Sequence, residues 1–460
     1  MLGHGMAHNV DMTQGPVARN ILRFALPLIA ASLLQRLFNA VDVIVVGRFA
    51  GDTALAAITS TLSLIDLMLD SGLGLSMGAN VVAANALGHG DNERVRKVAH
   101  TAILLALLFG GVLTILGVSM AGTLLGWMSS PDGVREQSAL YLRLYLLGLP
   151  ALTVYNFGSA LLRANGDTRR PTYYLILAGG VKMALNLIFV PVLHMSVAGA
   201  ALATTLSNLI AGGMVLRALL HESSVIRIDP RRLAVDGGCL GRIAYIGLPA
   251  AVQGALFAVS NITIQSSINS MGEAYMAGFG ASGNIEGFLF VAMNGVTQAC
   301  LTFTSRNHGA GELRRVDQVR RWSLLLVAAT GLAVGSGFLL LRRQLLGIYI
   351  SGAEAVAAGL LRASFMLPLY FVYGLSDVYV AAQRGLGSAT VPMILSLLGV
   401  CAFRVGWVYT VFASNPTPTM LILSYPISWV ITLASQATAL FFTRRRVFAK
   451  VQAALAAQSE

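Results

Sequence analysis

Charge is scarce in this chain. Only 11% of its 460 residues are Asp, Glu, Lys or Arg, against about 25% in soluble domains, so most of its surface is not built to face water. Cysteine is scarcer still. Cys239, Cys300 and Cys401 stand far apart, with no CxxC and no Cys/His cluster, which excludes a recognisable disulfide framework or metal site. Nucleophile elbows and zinc motifs are missing too. The glycine-rich "GLGLSMG" at 72–78 lies inside an apolar run with no preceding strand, where small residues serve close helix packing rather than phosphate binding. An enzyme reading has no residues to stand on.

Apolar sequence is what the chain has in abundance. It is 56% hydrophobic with a mean hydropathy of +0.71, and its apolar runs are long enough to cross a hydrocarbon core of roughly 30 Å. An all-α polytopic membrane protein is predicted. Twelve transmembrane helices are expected near 21–49, 54–86, 98–120, 138–162, 172–194, 197–219, 243–271, 274–305, 319–341, 359–383, 392–413 and 417–442. Residues 1–17 read as a disordered leader, 18–220 as an N-lobe (helices 1–6), 221–242 as a cytoplasmic linker, 243–442 as a C-lobe (helices 7–12) and 443–460 as a basic cytoplasmic tail.

The net charge of +12 does not point to nucleic acid, because the basic residues punctuate the apolar runs instead of forming one face. Their placement orients the chain. With the N-terminus inside, the outer loops hold only Arg48, Arg135, Arg342 and Arg343 of the 32 basic residues. Both termini are then cytoplasmic by the positive-inside rule.

The sequence repeats itself at an offset of 221–222 residues. "FALPLIAASLLQRLFN" (24–39) matches "IGLPAAVQGALFAVSN" (246–261), pairing Pro27 with Pro249 and Asn39 with Asn261. "GHGDNERV" (88–95) matches "GAGELRRV" (309–316), and "RANGDTRRP" (163–171) matches "RGLGSATVP" (384–392). Six spans in each half make the repeats parallel, related by an axis along the membrane normal, as in transporters that bind substrate between lobes.

In "FALPLIAASLLQRLFNAVDVIVVGRFAG", "NALGHGD", "LLRANGDTRRPT", "VAGAALATTLSN" and "NIEGFLFVAMNGVTQACLTFTSRNHGAGE" the chain resembles the multidrug and toxic compound extrusion (MATE) family, nearest to its proton-driven bacterial and archaeal branch, over residues 18–442. The resemblance implies a V-shaped pair of six-helix lobes and export of amphipathic, often cationic compounds by alternating access. It also implies antiport against protons or Na⁺, no cofactor, a monomer, and a place in a bacterial inner membrane. The runner-up is a lipid-linked or metabolite flippase of the wider superfamily.

A charge inside a membrane costs at least about 2.5–3.5 kcal/mol on insertion scales, so each one needs a reason. Ser32, Gln35, Arg36, Asn39 and Asp42 fall within about a third of the circumference of helix 1, a stripe expected to face the lobe interior. Arg36 sits about 120° around the helix from Asp42, too far for a simple pair. The resemblance makes Asp42 the cation-coupling acid, Asn186 its polar partner and Pro27 the conformational bend. Lys182, one turn before Asn186, is a candidate partner of Asp42, the alternative being a side chain that snorkels to the nearer interface. Many relatives carry Asn-x-x-x-Asp-Pro where this chain reads "NLIFVP", with Val190 in the acid's place.

The second repeat keeps Asn261 but has Ile264 where Asp42 would fall, so coupling chemistry is expected in the first half only. Asp66 and Asp70 share a helix face at i, i+4 and, with Gln35, Glu286 and Asp377, are the candidate substrate-cavity residues. Arg404 is a candidate partner of Asp377. Sodium-driven relatives carry a glutamate on helix 7, which has no carboxylate here; this favours protons.

Overall fold

The computed structural model describes residues 10–127 and 132–459, and among these there is no strand. The helices are α1 (Val17–Phe49), α2 (Asp52–His89), α3 (Asn92–Trp127), α4 (Asp132–Leu146), α5 (Leu149–Ala164), α6 (Arg169–Phe189), α7 (Ser196–Leu220), α8 (Gly237–Asn269), α9 (Glu273–Gly309), α10 (Leu313–Leu340), α11 (Arg342–Tyr349), α12 (Ala353–Gly385), α13 (Thr390–Ser396), α14 (Phe403–Trp407) and α15 (Pro418–Ser459). π-helical turns at Leu397–Ala402 and Val408–Phe412 join α13 and α14 into one span. Among the described residues, eleven spans are long and apolar enough to cross a membrane, and twelve when the bent pair α4 and α5 counts as one.

The duplication is written into the turns. Gly51 and Gly90 flank α2 with φ of 86° and 72°, and Gly272 and Gly311 flank α9 with 98° and 72°. Gly166 and Gly387, after α5 and α12, have φ of 93° and 86°. Each pair is 221 positions apart, and each sits in the left-handed region that costs glycine nothing.

Three features differ from the expected spans. The fourth is not one straight helix: α4 and α5 meet at 44°. Pro150 stands in the first turn of α5, and a Cβ on Gly148 would lie 2.9 Å from Thr205 Cα of α7, so a proline and a close approach coincide at the break. Its counterpart α12 runs unbroken through Pro368. The basic stretch after residue 442 is no separate tail but continues α15, where the Arg444 guanidinium donates to Asp317 of α10 (Nε to Oδ1, 2.8 Å). The first nine residues of the expected leader lie outside the described residues. From Val10 onward it is fastened: Met12 is buried, and Arg315 donates to the carbonyls of Met12, Gln14 and Gly15.

The chain forms two compact units. Among the described residues, one contains Val10 and Ala30–Ala251; the other contains Asp11–Ile29 and the residues from Val252 to Ser459. The division falls not in the linker at 221–242 but inside α1 and α8, at Ile29 and Ala251, each two residues past its proline. In the first unit a Cβ on Gly74 of α2 would lie 2.5 Å from the backbone N of Ala251. In the second, Gly295 of α9 faces Ile29 and Ala25 in the same way. Small residues let these half-helices approach closely. The linker itself is anchored in the first unit. The Asp236 carboxylate accepts from the backbone N–H of Cys239 at 2.8 Å, capping α8, and that bond holds it below the ordinary carboxylate range.

The first unit's apolar core gathers Val45, Ile58, Leu142, Leu146, Val190 and Ala201, and the second's gathers Ile264, Phe279, Met366, Val408, Leu421 and Trp429.

Candidate functional site

In the first unit, α1 and α6 bring the sequence-predicted polar residues to one place. Asp42 Oδ1 accepts from Asn186 Nδ2 at 2.8 Å, and Oδ2 forms an ion pair with Lys182. Lys182 Nζ also donates to Asn39 Oδ1 at 3.4 Å. The helical period explains the arrangement: Asn39 and Asp42 lie three apart on α1, Lys182 and Asn186 four apart on α6, so each pair shares a face. Asn186 is buried, and its Oδ1 has no hydrogen-bond partner among the described residues. Lys182 is thus a counter-ion and not a side chain reaching for the interface. Val190, where relatives carry a second acid, is 1% exposed in the apolar core. A carboxylate there would be desolvated without a partner, so the cluster runs on one acid.

Gln35 is exposed on α1, and Pro27 lies within an uninterrupted α1. Asp66 and Asp70 are exposed together on one strip of α2.

The second unit is built differently. Glu286 is not a free cavity acid: Arg362 grips it with two bonds, Nε to Oε1 at 2.8 Å and Nη2 to Oε2 at 2.9 Å, and Ser282 Oγ donates to Oε1 at 2.9 Å. Both partners are buried, and the guanidinium carbon of Arg362 lies 5.5 and 5.2 Å from the ring centroids of Phe279 and Tyr425. The sequence places Arg362 within a span but gives no clue to this pairing, because the partners lie on α9 and α12, 76 residues apart.

Arg404 does not pair with Asp377. Its Nε donates to Ser428 Oγ at 3.0 Å, and its guanidinium carbon sits 4.2 Å from the Tyr425 ring centroid. Arg384, at the end of α12, donates from Nη2 to Gln253 Oε1 at 2.9 Å.

The MatE family model matches residues 27–188 and again 249–410. The chain belongs to the MatE family. The two matches are 222 positions apart at both ends, one more than the 221 of the glycine pairs. At the C-terminal end, the π turn at Leu397–Ala402 lies between Gly387 and the last matched residue and supplies a physical source for the extra residue there, since an i→i+5 turn takes up one more than an α turn.

Among MatE relatives, a probable multidrug resistance protein, YoeA of Bacillus subtilis (strain 168), is 26% identical over 401 residues, covering 85% of this chain and 86% of that protein. A FAD transporter of Shewanella oneidensis is 23% identical over 401 residues, with 85% and 86% covered. A solved MOP superfamily transporter from Pyrococcus furiosus Vc1, described as having a reversed polarity of binding pocket that suggests a different function, has a TM-score of 0.88 at 21% identity. That likeness covers 96% of this chain and 98% of that one, and it establishes the fold. This MatE chain is accordingly a multi-pass membrane transporter and not an enzyme.

Proposed function

We propose that the chain exports amphipathic compounds in exchange for protons, with Asp42 as the group that carries the proton. The observation that supports this is the environment of Asp42 in the first unit. As a carboxylate it is held by Lys182 and by the Asn186 amide. Protonation removes the attraction to Lys182 and turns one carboxyl oxygen into a donor. Asn186 Oδ1, buried without a partner among the described residues, then becomes the acceptor once the amide turns over. The cluster thus has two self-consistent hydrogen-bond states that differ by one proton, which is the element a coupled transporter requires.

One charge moved through the membrane potential is worth about 2.3 kcal/mol per 100 mV. The absence of any carboxylate on α8 favours protons over Na⁺. Asp66 and Asp70, exposed on α2, suit a cationic group on the cargo. The loop charges favour cytoplasmic termini, and the bacterial relative named for multidrug resistance favours drug export across an inner membrane. A second reading, export of a metabolite, is favoured by the relative named a FAD transporter.

The test is dye efflux from everted vesicles under an imposed pH or Na⁺ gradient, wild type against Asp42→Asn. Proton-driven efflux in the wild type should fall to the level of protein-free vesicles in the variant. Full proton-driven efflux with Asp42→Asn removes Asp42 from the mechanism, and efflux driven only by Na⁺ overturns the choice of ion.

A further inference from the structure

We propose that the second unit binds the anionic group of a planar aromatic compound at Arg404. The two family matches, 222 residues apart at both ends, place Arg404 where the first repeat has Lys182, Asn261 where it has Asn39, and Ile264 where it has Asp42. The duplicated site has kept its base and lost its acid. Ile264 is 1% exposed, in the second unit's apolar core.

Arg404 is 95% buried at 5% exposure, and no ion pair to it is found among the described residues. The Ser428 hydroxyl and the face of Tyr425 are among its contacts. They hold the guanidinium in position but bring no negative charge, and a buried cation without a counter-charge is costly. Neither neighbouring acid supplies that charge. Both Glu286 oxygens are taken by Arg362, and among the described residues Asp377 forms no ion pair with Arg404. An incoming carboxylate or phosphate would cancel the charge in the paired geometry that a guanidinium offers.

The surroundings define the rest of the ligand. Trp429 lies 5.2, 5.9 and 6.3 Å, centroid to centroid, from Tyr370, Tyr373 and Tyr425. The three tyrosines are half-buried and pack against the second unit's core, forming an aromatic wall beside Arg404. Such walls take flat rings by stacking and edge-to-face contact.

The experiment compares three ligands with one ring and three charges: 2-naphthoate, 2-naphthylmethanol and 2-naphthylmethylammonium. Their binding to the purified full-length protein in detergent is measured by isothermal titration calorimetry. No gradient is present, so the result is independent of whether Asp42 couples protons. Naphthoate is expected to bind wild type about tenfold more tightly than the alcohol. Arg404→Gln should bring naphthoate to the alcohol's affinity, Arg404→Lys should keep part of the preference, and Asp42→Asn should leave it whole. Equal or tighter binding of the alcohol or the ammonium to wild type overturns the proposal, as does an undiminished naphthoate preference in Arg404→Gln. Should Arg404→Gln fail to fold, the wild-type series and Arg404→Lys still decide.

Discussion

The two units descend from one repeated pattern and treat charge in opposite ways. The first holds one acid between a lysine and an asparagine and shows two further acids, Asp66 and Asp70, on an exposed strip of α2. The second locks its acid Glu286 to Arg362 and leaves Arg404 among aromatic rings with no carboxylate. A duplicated scaffold thus conserves where polar groups sit, while single substitutions decide which charge is available there. One change, Asp42 against Ile264, is enough to turn a neutralised pair into a site that still seeks a counter-charge.

The comparison breaks most visibly at Arg362. Arg362→Met leaves Glu286 buried and unpaired, which should cost about 3–5 kcal/mol of stability, measured by thermal unfolding in detergent. Adding Glu286→Gln should recover most of the loss. A Tm unchanged in the single variant would show that the second unit's acid is not locked after all.

Next come the equivalent glycines. Gly74→Ala drives a methyl into the backbone of Ala251 and should cost about 1–3 kcal/mol. Gly295→Ala meets first the Cγ1 of Ile29, a side chain able to turn aside, and should cost less than Gly74→Ala in the same unfolding assay. Equal losses would mean that both units grip their proline-bearing half-helices alike.

The most delicate change restores the missing acid. Ile264→Asp rebuilds beside Arg404 the pair that Asp42 makes with Lys182. It should lower naphthoate affinity by about tenfold, or roughly 1.4 kcal/mol, while leaving the alcohol's affinity unchanged. Naphthoate affinity unaltered by the new acid would show that Arg404 and position 264 do not repeat the first unit's geometry.

Much of this was legible in the chain itself. Hydropathy alone determines an all-helical membrane protein with up to twelve spans, because apolar length against bilayer thickness is a local property. The repeat and the singular Asp42 are equally local, since internal alignment needs no coordinates. The 3.6-residue period also put Asn39 and Asp42, and Lys182 and Asn186, on common helix faces, which is why that cluster could be anticipated.

Tertiary structure decided which faces meet. The periodicity of α6 could not say whether Lys182 reaches Asp42 or the interface; the packing of α6 on α1 gave it to Asp42. Glu286 and Arg362 are 76 residues apart on different helices, and no spacing rule joins them. The break at Leu147–Gly148 depends on the approach of Thr205 from α7, and the register of Arg404 depends on a π turn that hydropathy cannot see. Local sequence sets helices, turns and charge inventory, but a counter-ion is chosen by whatever the fold brings within about 4 Å in a low-dielectric interior.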